Sequence, residues 1–361
     1  MNKESNAFLY KYLNNNAPVG QEVNGQKIWL SYLKPYVDDY FTDAYGTAVG
    51  VINPNAEYKV VLEAHADEIA WYINYISKEG YIYVIRNGGS DYEIAPSMHA
   101  KIHTTDKGVL NAVFGWPAIH VRRTAAEKEK KPNIENVVLD AGFSSKEEAI
   151  ESGVNVGDIV TFDQDLREVN GKYWVGRGLD NRMGGFTIAE VARMLHETKA
   201  KLPFGLYIVN AVQEEVGHNG ARMIAERIRP DVALVTDVCH CTGSPLYNKI
   251  KHGDTVAGKG PVISTAPAVH PNMRKMLLEV AKREKIDFQL AASQYATGTD
   301  TDTFAFSHRG VPSALLSTPL KYMHTTVEMV HQADVDKLVK WMYHFLTSLE
   351  DGHRFDFDIT V

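Results

Sequence analysis

The sequence predicts an α/β protein: a mixed, mostly parallel sheet with helices on both faces, and a small β-barrel domain inserted into the chain. Three observations carry that expectation. Past Gly176 the chain alternates apolar, β-branched runs with helical periodicity, the rhythm of strands joined by crossover helices. Between about 72 and 163 the rhythm changes to short β-rich runs broken by Gly, Pro and Asn, as in a small barrel or sandwich. At 361 residues the chain also exceeds the size at which one hydrophobic core keeps growing, so two domains are expected. The simplest division is one discontinuous domain, 1–70 with 168–361, and an insert at 71–167.

In chain order, helical patterning covers 6–12 and 28–37. A strand at 58–63 (Tyr-Lys-Val-Val-Leu-Glu) then runs straight into His65. The insert carries β runs at 71–76, 81–86, 109–113, 137–140 and 159–162, with a helical patch at 146–152. Beyond it follow helix 182–197, strand 205–212, helix 220–228, strand 232–237 and helix 270–285. Strand 288–292, helix 302–308, strand 312–317 and a terminal helix at 335–349 complete the pattern. Ligands of open α/β sheets bind outside the carboxyl ends of the strands. His65, Glu214 with Glu215, and Asp237 each stand at such an end, so remote residues are expected to meet on one edge.

Composition narrows the function classes. A formal charge of −7 and a pI near 6.1 disfavour a nucleic-acid surface, which needs concentrated Lys and Arg. The cluster Lys128-Glu129-Lys130-Lys131 is interrupted by acid and reads as a solvated loop. Cys239 and Cys241 are two residues apart, too close for unstrained bridge geometry, which suits a reducing compartment. The first residues lack a signal-peptide h-region, and no run approaches the roughly 18 apolar residues that span a bilayer. A cytoplasmic protein without a membrane partner is expected.

Five patches carry chemistry: His65-Ala66-Asp67-Glu68, Gly178-Leu179-Asp180-Asn181-Arg182, Gln213-Glu214-Glu215-Val216-Gly217, Thr236-Asp237 and Met323-His324-Thr325. Two imidazoles and several carboxylates are a ligand set for borderline divalent metals, enough for two ions with one carboxylate left over as a base. Two adjacent carboxylates repel unless cations or protons neutralise them. If 214–215 continue an extended strand, one side chain can ligate while the other addresses substrate. Asp67, two residues from His65, suits an orienting partner of that imidazole. Each patch alone also has a plain reading: Glu214-Glu215 as a solvated loop, Asp180-Asn181 as a helix cap, His65 and His324 as incidental turn residues. Cys239-His240-Cys241 lacks the partners of a four-ligand structural zinc site and reads as a loop beside Asp237. Gly298-Thr299-Asp300-Thr301-Asp302 either lines a pocket or caps a helix, and His252 is equally open.

At these residues the chain resembles the tetrahedral aminopeptidase family of dinuclear zinc or cobalt metallopeptidases, which includes glutamyl and deblocking aminopeptidases. The likeness rests on His-x-Asp-Glu, Leu-Asp-Asn-Arg, Gln-Glu-Glu-Val-Gly, Thr-Asp-Val and Tyr-Met-His, and spans nearly the whole chain. It implies that His65 and Asp237 are terminal ligands of one ion, Glu215 and His324 of the other, and that Asp180 bridges them. It further implies Glu214 as general base and Asp67 as the group orienting His65. The fold implied is a zinc-peptidase α/β domain whose inserted barrel serves oligomerisation or substrate access, often in a hollow dodecamer. The activity implied is removal of the N-terminal residue from short peptides with free N-termini. The alternatives are a carboxypeptidase or amide deacylase using the same centre, or a glycoside hydrolase. The last would leave both histidines idle and needs carboxyls flanking a bond at roughly 5–9.5 Å.

Overall fold

The computed structural model describes residues 2–122 and 131–359. Lys128, Glu129 and Lys130 of the basic cluster lie outside the described residues. The chain forms two compact units. One comprises Met1–Glu68, Leu166–Met323 and Val327–Val361; the other comprises Ile69–Asp165 and the short segment His324–Thr326.

The first unit is built on an 11-stranded mixed sheet. Its centre is four parallel strands in the order Gly205–Ala211, Lys59–His65, Val232–His240, Ser313–Lys321. These strands are almost continuously apolar and buried, as expected of strands covered on both faces. Antiparallel strands flank them, Asp39–Thr42 and Ala48–Ile52 on one side, Glu328–His331, Tyr173–Gly176 and Arg167–Val169 on the other. Helix Leu179–Glu197 packs on strand Lys59–His65 together with helices Lys3–Asn14, Val23–Leu33 and Gln332–Ser348. Helices Asn219–Ile228 and Asp300–Ala305 pack on one another and on strands of the same sheet.

Local chemistry shifts some boundaries. The second helix is Val23–Leu33 rather than 28–37, because Pro35 turns the chain into a short 3-10 segment, Lys34–Tyr36. Strand Val232–His240 does not stop at Asp237. It continues because Cys239 and His240 pair in parallel register with Pro319 and Leu320, so Cys239-His240-Cys241 begins inside a strand rather than in a loop.

The second unit is a closed six-stranded antiparallel barrel. Strands such as Ile82–Asn87 and His99–Thr104 alternate buried and accessible residues, the period-2 pattern of a sheet with one face inward. Inside, Trp71, Phe114 and Phe162 form a triangle of rings with centroids 5.6 to 6.3 Å apart.

Candidate metal centre

Sheet register brings the site together. In the parallel ladders Ala211 pairs with His65 and Val235 with Glu63, so Asp237 stands level with His65, and the turn carrying Glu214 and Glu215 begins just beyond both. The His65 ring is buried, with Nε2 3.3 Å from Asp180 Oδ1 and 3.8 Å from both Glu214 Oε2 and Asp237 Oδ1. Donor atoms of His65, Asp180 and Asp237 all lie within 4.8 Å of one another. A Glu215 carboxylate oxygen lies within 4.8 Å of one on Asp180.

The turn differs from the extended continuation read from sequence. Glu214–Val216 is a 3-10 segment, because Gln213 (φ 57°) and Gly217 (φ 119°) bend the backbone into left-handed conformation on either side. Asp67 fixes it. Its two oxygens accept the Glu214 N–H at 3.0 Å and the Glu215 N–H at 3.1 Å. The same carboxylate stands 3.3 Å from His65 Nδ1, a contact whose alignment falls short of a hydrogen bond.

Asp180 is held just as closely. Gly178, left-handed at φ 59°, opens helix Leu179–Glu197, and a Cβ there would meet the Arg182 guanidinium and stand 2.8 Å from Glu68 Oε2. The capping role in this patch falls to Asn181, whose Oδ1 accepts the Gly184 N–H at 3.1 Å. Asp180 precedes it at a kink where both residues have non-helical angles, and the Asp180–Asn181 peptide bond is cis. Glu328 accepts the N–H groups of Leu179 (2.8 Å) and Asp180 (3.2 Å), while Asn181 donates to the Thr236 carbonyl. His324 follows strand Ser313–Lys321 and belongs to the segment grouped with the barrel. There its ring lies directly against Gly89, leaving no room for a Cβ.

Electrostatics set what the cluster can hold. Burial opposes charge on His65, but Glu214, Asp180 and Asp67 outweigh it and hold the imidazole pKa well above its ordinary value. Burial lifts Asp237 well above the usual carboxylate range, partly opposed by His65 and reinforced by Asp180 and Glu214. Behind them, burial pushes Glu63 up to about 8 and Asp300 well above its usual range, the two carboxyls being neighbours. Such crowding of buried acids around one imidazole is unfavourable without cations. A nitrogen and several carboxylate oxygens converging in it are a donor set that fits zinc or cobalt.

Other patches resolve differently. Thr299 caps helix Asp300–Ala305 with its own hydroxyl, and Asp302 instead accepts the N–H groups of Thr297 and Gly298. Cys239 and Cys241 are free thiols, and Cys241 Sγ accepts the Ala257 N–H at 3.3 Å. His252 stacks edge-on against Tyr247, outside the candidate metal groups among the described residues. His218 and Glu328 escaped the sequence reading. His218 stands in the same patch as Glu214, one residue beyond where that reading ended.

Residues 46–341 match the M42 glutamyl aminopeptidase family. The lysyl aminopeptidase of Pyrococcus furiosus is 33% identical over 321 residues, 89% of this chain and 90% of that one. Among solved structures, a TET aminopeptidase of a marine-sediment Thaumarchaeota archaeon superposes with a TM-score of 0.91 at 26% identity, covering 96% of this chain and 97% of that one. The TET1 peptidase of Pyrococcus horikoshii, described as assembling into a tetrahedron or a large octahedral shell, gives 0.82 at 29% identity over 96% and 100%. No helix among the described residues is long and apolar enough to cross a membrane.

Proposed function

Because the chain belongs to the M42 glutamyl aminopeptidase family and is an aminopeptidase, we propose that it works with two divalent ions, zinc or cobalt, and with Glu214 as its base. His65 and Asp237 would hold one ion and Glu215 and His324 the other, with Asp180 a ligand common to both. When bound, such ions polarise a scissile carbonyl and acidify water. The chain's own residues do the rest. Glu214 takes the proton of the attacking water as the new C–O bond forms, and returns it to the amine as the C–N bond breaks. Asp67 keeps Glu214 and Glu215 in place through their backbone N–H groups and faces the second nitrogen of His65. The substrates are short peptides with free N-termini, a preference tested by comparing free with acetylated peptides. By analogy with the tetrahedral shell of its relative, the chain assembles into a homo-oligomer, a dodecamer on this reading. Free Cys239 and Cys241 suit a reducing cytoplasm.

One observation supports the assignment most. Beside the group His65, Asp180 and Asp237 stands a further buried carboxylate, Glu214, which that group does not include as a ligand. The Glu214→Gln variant keeps the shape and loses the base. Its kcat is expected to fall by about 10²–10⁴-fold while metal content, measured by elemental analysis, stays that of the parent. An active variant removes Glu214 from the role.

A further inference from the structure

Glu214 has a second imidazole against it. Its Oε2 faces His65, and its Oε1 lies 3.3 Å from Nε2 of His218. The other nitrogen of His218, Nδ1, lies 3.3 Å from the hydroxyl of Thr303 on helix Asp300–Ala305. Two different elements therefore grip one imidazole end to end. Its backbone is left-handed at φ 59°, directly after Gly217. That conformation costs a non-glycine residue about 1–2 kcal/mol, so this turn keeps an imidazole where glycine would be easier. The charged groups facing His218 are Glu214 from its own turn and Asp300 and Asp302 from the helix of Thr303, all acidic.

We propose that His218 is a positioning residue for the base: clamped by Thr303, it directs Nε2–H at Oε1 of Glu214 and leaves Oε2 to receive the proton. This rests on the reading of Glu214 given above. A hydroxyl suits the clamp because it can donate to Nδ1 of a neutral ring or accept from a protonated one. In either state Nε2 carries its hydrogen toward Glu214. Gripped at both ends, the ring holds the Glu214 carboxylate in one rotamer, with Oε1 occupied and Oε2 open.

The test compares His218→Leu, His218→Gln, Thr303→Val and Thr303→Ser in the metal-loaded enzyme. In His218→Leu, kcat is expected to fall about tenfold with KM within about twofold, less than the roughly 10²–10⁴-fold carried by the base itself. His218→Gln keeps a donor and should recover most of kcat. Thr303→Val should lower kcat in the same way, by less and again without moving KM, and Thr303→Ser should keep the parent value. Metal content and unfolding temperature should match the parent throughout. A His218→Leu kcat equal to that of the parent overturns the proposal, as does His218→Gln behaving like His218→Leu. If His218→Leu fails to fold, the Thr303 pair decides by the same loss and recovery of kcat. Glu214→Gln separates the two readings: activity in that variant sinks the base, whereas an inactive Glu214→Gln beside a normal His218→Leu sinks only the role of His218.

Discussion

The barrel and the mixed sheet are both densely packed β structures, yet their interiors are built from different material. Inside the barrel lie Trp71, Ile73, Val84, Ile102, Phe114, Leu139 and Phe162, and its described ion pairs, Lys101–Asp163 and Lys131–Glu93, sit in contact with solvent. The sheet unit has a larger apolar core, and also buries Glu63, His65, Asp67, Glu68, Arg177, Asp180, Arg182, Glu214 and Asp237. Buried charge is costly unless paired or bound to metal. Among its described residues the barrel buries one acid, Asp158, which accepts from the Thr105 hydroxyl and the Asn155 N–H. The sheet unit carries residues that disfavour folding by themselves and are kept for chemistry.

Not all of that buried charge is catalytic, and the largest expected effect lies in the part that is not. Glu68 accepts from Arg177 and from Ala17 N–H at 2.8 Å, with Arg182 3.3 Å away, and all three charged side chains are buried. Glu68→Ala leaves two guanidinium groups without their acid, and is expected to cost about 3–5 kcal/mol. Chemical denaturation of parent and variant measures it. A loss below about 1 kcal/mol, the value of a surface pair, would erase the contrast between the units.

A smaller effect separates the buried acids that need cations from those that have them. In the chelator-treated protein, Glu63 (up to about 8) and Glu22 (up to about 7) are raised by burial, and Asp237, Asp300 and Asp334 are raised as well. An acid with a raised folded pKa gives its full stability below its unfolded value and loses it as pH climbs through the folded value. His65, raised by its carboxylates, acts in the same direction. Glu68 is lowered and so contributes evenly above pH 4.5, while His270, lowered by burial, opposes the trend below its ordinary value. The unfolding temperature without metal is thus expected to fall between pH 5 and pH 8. Added zinc should raise it most at pH 8, where fewer protons compete with the ion for the same ligands. A metal-stripped protein as stable at pH 8 as at pH 5 would contradict the burial of these groups.

The same contrast explains what could be read from the sequence. Central strands such as Lys59–His65 announce themselves by unbroken apolar runs, and strand ends in a parallel sheet then locate His65, Asp237 and the Glu214 turn. The edge strands Asp39–Thr42 and Arg167–Val169 are largely exposed, so no apolar pattern marks them. The bend at Glu214–Val216 depends on a left-handed Gln213, a conformation the residue type does not advertise. The place of His218 depends on Thr303, 85 residues away, and no local spacing encodes that contact.

The smallest expected effect tests whether the barrel unit has a functional residue at all. Gly89 lies against the His324 ring, and an added Cβ would overlap Nδ1 and Cε1. Gly89→Ala must therefore move either the backbone near 89 or the imidazole, and an imidazole on a left-handed loop residue (φ 61°) is the softer of the two. If His324 is a ligand of the second ion only, displacing it should weaken one of two zinc equivalents and leave the other, the one proposed for His65 and Asp237. A zinc titration of the metal-free variant should show one affinity equal to the parent and one lowered by about 10–100-fold, the range for disturbing a group that orients a ligand. The barrel's own unfolding should be unchanged, since the Trp71, Phe114 and Phe162 cluster lies among other side chains. Equal loss at both sites would mean that His324 serves the whole centre, and no loss at either would take it off the metal.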